Sequence, residues 1–396
     1  MTTLSTVSAG NWPRSIVLYG FCPWAIPKQR SRTKRRRRIT VDGNFTWEPG
    51  KIKHKKPVVE HLPSAARVQE IIGRMSGRRI LTAGDLMLDE FIWGKVSRIS
   101  PEAPVPVVAV DRETSYPGGA ANVARNLHEF TARTSVFGLA GEDAAGARLR
   151  DLLAAGGIGM EGVVMRGGPT TVKTRIIART QQVVRVDREL AEPAGPAQRK
   201  ALLDALDAAL PQADGVILED YGKGFFDEEM AGEFIRRARA AGCVVAVDPN
   251  PGNPLAWRGA TVVKPNRQEA FAAAGLAWSE PASHPLEDKQ LLAAGETLLA
   301  KWEADQLLIT LSELGMLLLT KDGARHHTPT RAREVFDVSG AGDTAIALYT
   351  LALCAGATPV EASEIANHAS GVVVGKLGTA TLTPDELFAS FANHAR

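Results

Sequence analysis

The sequence predicts an α/β domain in which a mostly parallel central sheet is covered by helices on both faces and a small β-sheet stands off the main body. Three observations carry this expectation. Apolar runs begin with Arg79-Ile80-Leu81-Thr82-Ala83 and recur near 135–139, 215–219, 243–247, 261–264 and 306–310, and short continuous apolar runs suit strands buried on both faces. Helical stretches lie between them, at about 143–155, 197–210, 227–241 and 286–302, the alternation that builds parallel strand pairs through crossovers. Two stretches, 104–116 and 170–188, break the rhythm. Within the second, Thr170 to Ile177 and Val183 to Asp187 alternate polar and apolar residues, the pattern of strands exposed on one face.

Taken in order, the chain opens with residues 1–60, which lack helical or strand periodicity and hold the basic run Lys28 to Arg38. Such a segment buries too little apolar area to offset chain entropy, so disorder is expected there. Its readings stay open: contact with nucleic acid or anionic lipid, or sequence translated from an upstream start that the body does not need. Residues 61–396 are expected to form the folded domain, with lid strands roughly within 91–117 and 170–188. An amphipathic helix at about 64–76 leads into the first strand, and another follows the glycine pair at 118–119, over roughly 120–130. No internal repeat is evident.

Charge is divided unevenly. Residues 1–56 hold 13 of the 47 Lys and Arg and 2 of the 44 Asp and Glu, so residues 57–396 hold 34 basic and 42 acidic side chains, a net −8. The body is acidic, which disfavours nucleic-acid binding outside the basic tail. No run approaches the roughly 20 apolar residues that span a bilayer, and no clean apolar stretch follows the N-terminal charges as a secretory signal requires. Cys22, Cys243 and Cys354 are odd in number and widely spaced. That spacing argues for a reducing, cytoplasmic compartment without a disulfide framework or zinc site.

The chemistry-bearing stretches come next. Asp337-Val338-Ser339-Gly340-Ala341-Gly342-Asp343-Thr344 precedes an apolar helix. A small-residue turn there leaves the N–H groups of Gly340, Ala341 and Gly342 free to face an anion, with the positive end of the helix behind them. Asp343, at the rim of the turn, either caps the helix or takes a proton from a hydroxyl attacking a phosphate. Far upstream, Pro117-Gly118-Gly119-Ala120-Ala121-Asn122 is a second glycine turn entering a helix. Its glycines allow a ligand close to the backbone, and Asn122 offers a donor and an acceptor to a hydroxyl.

Together these two stretches resemble the signature motifs of the ribokinase-like (PfkB) carbohydrate kinases, and the resemblance covers about residues 78–390. Within that family, Gly84-Asp85-Leu86-Met87-Leu88-Asp89, Ser97 to Val107, Lys173-Thr174-Arg175, Gln181-Gln182, Asp220-Tyr221-Gly222-Lys223-Gly224 and Gly375 to Thr379 are similar to bacterial D-glycero-β-D-manno-heptose-7-phosphate kinase. The resemblance implies a ribokinase-like three-layer sandwich with a β-sheet lid. It implies ATP-dependent phosphorylation of the anomeric hydroxyl of the heptose 7-phosphate to the 1,7-bisphosphate, in ADP-heptose synthesis for lipopolysaccharide. No His-x-Gly-His nucleotidyltransferase motif occurs in the chain, so it looks like the stand-alone form of that kinase.

The resemblance also assigns expected roles. Asp343 is the base, with Gly340, Ala341 and Gly342 as the anion hole. Asp89, Gly118, Gly119, Asn122 and Asp220 hold the sugar, whereas Asp85 either joins them or caps its loop. Lys173, Arg175 and Lys223 are candidates to anchor the 7-phosphate, with Arg98 a weaker one. Lys173 and Arg175 share one face of a lid strand, so both turn toward the sugar or both toward solvent. Asn266, Arg267, Gln268 and Glu269 are expected at the nucleotide, Glu269 meeting Mg²⁺ through water. The competing reading for Asn266 and Glu269 is a capping box. Thr310, Ser312, Gly315 and Asn367 are expected along ATP, and Asp337 beside a monovalent cation such as K⁺. His368 either lies near the adenine or is a core histidine. The lid sheet is expected to pair two subunits as a homodimer. Two rivals remain: a kinase for another sugar phosphate, and a non-catalytic sugar-binding protein. Deleting residues 1–60 should leave folding and kcat nearly unchanged, because the segment contributes no expected strand or site residue; a soluble but inactive truncation would overturn this expectation.

Overall fold

A computed structural model describes residues 63–179, 181–332 and 334–392. The expected extension over 1–60, with its basic run, lies outside the described residues. The elements in chain order are α1 (Ala65–Met75), β1 (Ile80–Gly84), β2 (Leu86–Ile99), β3 (Pro106–Gly119), α2 (Ala120–His128), β4 (Thr134–Gly141), α3 (Ala144–Ala155), β5 (Gly159–Arg166), β6 (Thr171–Ala178) and β7 (Gln181–Arg188). There follow α4 (Pro196–Ala209), β8 (Gly215–Glu219), α5 (Glu228–Ala240), β9 (Val244–Asp248), β10 (Val262–Val263), α6 (Arg267–Ala274) and α7 (Lys289–Trp302). The chain continues through β11 (Gln306–Thr310), β12 (Met316–Thr320), β13 (Arg325–Thr328), α8 (Ala341–Cys354), α9 (Pro359–Val373) and α10 (Pro384–Ala392).

The large sheet runs β13-β12-β11-β10-β9-β8-β1-β4-β5. From β5 to β11 every pairing is parallel, and β12 and β13 add antiparallel at one edge. Strand side chains alternate between faces, and the cores divide accordingly. Leu81, Val216, Leu218, Val245, Val247, Leu307 and Ile309 pack with residues of α4, α5 and α7. Ile80, Ile217, Ala246, Val262 and Leu308 pack on the other face with α1, α8 and α9. Two separate cores on one sheet make the three layers, and this is the expected fold class.

The small sheet has the order β3-β2-β6-β7. Its inner end is packed: Leu86, Leu88 and Val172 join Leu149 and Leu153 of α3 in a third core. Outward, β2 ends exposed and every residue of β7 is exposed. The expected breaks at 104–116 and 170–188 therefore correspond to this sheet. The structure differs from expectation in detail. The glycine pair at 118–119 is the end of β3, opposite Leu86 and Met87, and the chain turns directly into α2. The strands β5, β12 and β13 were not expected, and the run at 261–264 yields only a two-residue strand.

Asp85 sits where β1 leaves the large sheet and β2 begins the small one. Its side chain is buried and accepts three backbone N–H groups, from Tyr221 at 2.8 Å, Lys223 at 3.0 Å and Phe225 at 3.1 Å. Of the two readings for Asp85, the loop cap has a direct counterpart in the structure: the carboxylate faces the loop after β8. Burial pushes its pKa up, and the three donors oppose that shift. Asp85→Ala should lower stability by about 2–4 kcal/mol, because it strands three buried donors. Thermal melting reads this directly; an unchanged melting temperature would mean the contact contributes nothing to the fold.

Candidate active site

Parallel sheets gather ligands beyond the carboxyl ends of their strands, and here three such ends meet the start of one helix. Glu219 closes β8, Asp248 closes β9 and Lys264 follows β10, while Asp343 lies in the first turn of α8. The carboxylate oxygens of Glu219, Asp248 and Asp343 can all lie within 4.8 Å of one another. Lys264 donates to Asp248 at 2.8 Å and is itself buried. Gly342 lies beside it: a Cβ there would make ordinary contact with the Lys264 Nζ at 3.4 Å.

Burial pushes all three carboxylates to higher pKa, nearby carboxylates add to the rise, and Lys264 opposes it at each. For Lys264, burial works against the charged form, but the Asp248 carboxylate outweighs it and the net shift is upward. Glu219 is fully buried and neither of its carboxylate oxygens has a hydrogen-bond partner. Such a group is costly unless something binds it.

Gly340 caps α8 with φ of 81°, a conformation that favours glycine, and a Cβ there would meet the Asn122 amide at 3.1 Å. The Ala341 N–H bonds to Val338 at 3.2 Å. Gly342 and Asp343 occupy the first turn, whose N–H groups have no acceptor within the helix. Of the three expected anion-hole donors, the Ala341 N–H is thus engaged within the turn, Gly340 is the cap, and Gly342 lies with Asp343 in the first turn.

The Asp343 carboxylate is held at both oxygens. Asn122 Nδ2 donates to Oδ2 at 2.6 Å, and the Tyr221 hydroxyl donates to Oδ1 at 2.8 Å. Arg125 steadies Asn122 by donating to its Oδ1 at 3.1 Å. One turn on, Thr344 donates to Asn126 at 2.8 Å, so α2 and α8 are tied at two successive levels. The two distant glycine turns thus meet side by side.

From the small sheet come Asp89, Lys173 and Arg175. Arg175 pairs with Asp89 at 2.5 Å and stacks on Phe91, while the Lys173 ammonium lies 4.9 Å over the Tyr221 ring. Both cations therefore turn inward, toward Asp89 and Tyr221, and burial lowers the Lys173 pKa. Gly118 lets Asp89 approach, since a Cβ would stand 2.2 Å from Asp89 Oδ2, and Gly119 turns the chain into α2 with φ of 60°. Lys223 pairs with Glu189 at 2.6 Å. Arg98 is exposed near the outer end of β2. Asp220 accepts from Gly222 and from Asn253 Nδ2, and burial brings its pKa up to about 7. It braces the loop that carries Tyr221 and Lys223 rather than presenting free oxygens.

The expected nucleotide residues are more scattered. Asn266 and Glu269 form a reciprocal capping box, with bonds of 2.9 and 2.8 Å. Glu269 still acts electrostatically on Asp248 and Lys264. Arg267 is buried against Asp288 at 2.8 Å and stacks on Phe271 and Trp278, so an ion pair holds it in the structure. Gln268 is exposed on the same helix. Thr310 bonds through its N–H to Pro265, Ser312 is exposed, and Gly315 is a tight entry to β12 with Thr328 O 2.0 Å from a would-be Cβ. Asn367 donates to the Pro329 carbonyl at 2.5 Å, anchoring the loop after β13. The Asp337 carboxylate accepts the N–H groups of Ser339 at 2.9 Å and Gly378 at 3.1 Å, joining two loops. His368 is a buried core residue stacked on Phe391 with Ser390 at 3.0 Å.

Sequence reasoning assigned no role to Glu219, Tyr221, Asp248, Lys264 or Arg125. For Lys264 the signal was its place at the end of the apolar run 261–264, two residues before Asn266, and for Tyr221 its place in Asp220–Gly224. Glu219 and Asp248 carried only their position at strand ends.

Residues 79–386 match the pfkB family of carbohydrate kinases. Among curated proteins, the chain is 46% identical over 319 residues to the bifunctional protein HldE of Paramagnetospirillum magneticum, covering 80% of this chain and 64% of that protein. The HldE of Citrifermentans bemidjiense is 43% identical over 330 residues, covering 83% and 66%. The chain thus spans less than two thirds of the length of these relatives. Among solved structures, Escherichia coli phosphofructokinase-2 in complex with potassium aligns with a TM-score of 0.66 at 19% identity, covering 81% of this chain and 99% of that one. Arabidopsis thaliana ribokinase complexed with ribose and ATP aligns with a TM-score of 0.60 at 17% identity, covering 79% and 98%. These two establish a shared ribokinase-like fold, and with the match over 79–386 they close the identification: the chain belongs to the pfkB family of carbohydrate kinases.

Proposed function

We propose that this chain transfers the γ-phosphoryl group of ATP to the anomeric hydroxyl of D-glycero-β-D-manno-heptose 7-phosphate, giving the 1,7-bisphosphate for ADP-heptose and lipopolysaccharide synthesis. The observation that carries the kinase reading is the pairing of Asp343 with the free N–H groups of the α8 turn. A base and an anion hole share one helix terminus there, held by Asn122 from the other glycine turn. The choice of sugar rests on the motif matches at 84–107, 173–175 and 220–224.

In this mechanism Asp343 orients the attacking hydroxyl and accepts its proton, while the turn and Lys264 balance charge building on the transferring phosphoryl. Glu219 and Asp248, beside Asp343, suit a divalent cation, because the bare Glu219 oxygens and the crowded negative charge are what a hard ion satisfies. Mg²⁺ held there or through Glu269 would neutralise the polyphosphate. Asp337, whose carboxylate joins two loops at the α8 turn, is the candidate to take part in a K⁺ site.

The cationic anchors for the 7-phosphate are Lys173, Arg175 and Lys223, each already facing a carboxylate or a ring that a phosphate can replace. Among the described residues no helix is long and apolar enough to cross a membrane, and a cytoplasmic setting accords with the three widely spaced cysteines. The outer small sheet exposes Ile99, Val110, Val184 and Val186, which supports a homodimer formed through that sheet.

Asp343→Asn should nearly abolish turnover while ATP and sugar binding stay within a few-fold, since the amide keeps the shape but cannot accept the proton. A variant retaining a substantial fraction of kcat would sink this mechanism. Lys223→Ala should lower kcat/KM for the heptose 7-phosphate by roughly tenfold or more and leave the unphosphorylated heptose little changed, as a charge-assisted bond to phosphate contributes about 1.5–3 kcal/mol. Equal losses on both sugars would make Lys223 structural. Better turnover of fructose 6-phosphate or ribose would overturn the sugar assignment and leave the kinase class standing.

A further inference from the structure

Tyr221 touches both the base and a cation of the small sheet, Lys173. Its hydroxyl donates to Asp343 Oδ1 at 2.8 Å while the Lys173 ammonium sits 4.9 Å over its ring. With Asn122 on Oδ2 at 2.6 Å, both oxygens of Asp343 are capped by protein donors, and the residue is only 7% exposed. A base in this state offers solvent little purchase. To deprotonate any hydroxyl at Oδ1, Asp343 must give up or share the Tyr221 bond.

A sugar kinase has a specific need for such a cap. Water is a small alcohol present in great excess, and an open base beside an ATP-binding turn would activate it. In that side reaction the water oxygen bonds to the γ-phosphorus as its proton passes to Asp343. The bond from the γ-phosphorus to the β–γ bridging oxygen breaks, and ADP and inorganic phosphate leave. We propose that Tyr221 is a positioning residue that holds the proton-accepting site of Asp343 closed until an acceptor sugar displaces its hydroxyl, and so suppresses hydrolysis of ATP by water. This rests on the reading of Asp343 as the base.

The geometry supplies a trigger. The loop backbone at Tyr221 is anchored by Asp85 through its N–H, so the ring moves only by side-chain rotation. Lys173 lies on that ring from the small sheet, paired in register with Asp89. An anionic acceptor that draws the Lys173 ammonium to itself removes one of the two contacts on this side chain and leaves the hydroxyl bond to Asp343 to be displaced by the acceptor hydroxyl. Water carries no charge to do this.

The test is hydrolysis of Mg-ATP without any sugar, followed as inorganic phosphate release. Tyr221→Phe keeps the ring under Lys173 and removes only the hydroxyl. Acceptor-free hydrolysis should rise roughly tenfold over the unsubstituted protein, the size of effect expected from one lost bond to a charged group. Adding Asp343→Asn to Tyr221→Phe should abolish the gain, because the released water needs the base. Unchanged or lower hydrolysis in a Tyr221→Phe protein that melts normally would overturn the cap. Tyr221→Leu serves the same comparison should the Phe protein fail to fold. The reading of the base is judged separately: sugar phosphorylation surviving Asp343→Asn alone would remove that reading, whatever Tyr221→Phe does.

Discussion

The site depends on keeping four charges in an interior largely closed to water, with only Asp248 of the four part-exposed. Glu219, Asp248, Asp343 and Lys264 are gathered where three parallel strands end against the first turn of α8. Like charges at such separation repel strongly in a low dielectric, and every carboxylate in the group is pushed toward its neutral form. Three things offset this. Lys264 supplies one buried positive charge, the positive end of α8 faces the cluster, and Asn122 with Tyr221 donates hydrogen bonds to Asp343. The bare oxygens of Glu219 are what remains uncompensated within the protein itself.

Rigid elements hold this arrangement. The helix α8 is buried along nearly its whole length, with Ala345, Ile346, Leu348, Tyr349 and Leu351 in the core shared with α1 and α9. Its start is therefore fixed relative to the sheet. Asn122 and Asn126 then lock α2 to α8 through Asp343 and Thr344. The small sheet is joined to the same centre by Asp85, which grips the 221–225 loop, and by Lys173 on the Tyr221 ring. A shift of the small sheet therefore bears on Asp343 through one aromatic side chain.

Much of the fold was legible because both faces of the large sheet are covered. Its strands then read as continuous apolar runs, and β1, β4, β8, β9 and β11 appear at or within a residue or two of the expected places. The strands β12 and β13 did not read this way. Antiparallel edge strands follow a single 3₁₀ turn, Ser312–Leu314, and a tight turn at Gly315 with no intervening α-helix, so the β-helix-β alternation gives no cue for them. The capping box at Asn266 and Glu269 was one of two open readings. A local hydrogen-bond pattern can be read from spacing, whereas a role toward a nucleotide depends on what the next strand end brings near.

By itself the sequence determined the family, the glycine turns at 118–119 and 340–342, and Asp343 with Asn122 as residues worth following. Those signals are local: small residues before a helix leave free N–H groups, and a short polar side chain beside them is recognisable from a few neighbouring letters. Only the tertiary structure decided that Glu219, Asp248 and Lys264 share the same interior, that Tyr221 closes Asp343, and that Asp85 and Asp220 brace a loop. The physical reason is separation along the chain. Residues 219, 248, 264 and 343 become neighbours only because parallel strand order lays their ends side by side, and no local pattern records a contact that the sheet creates.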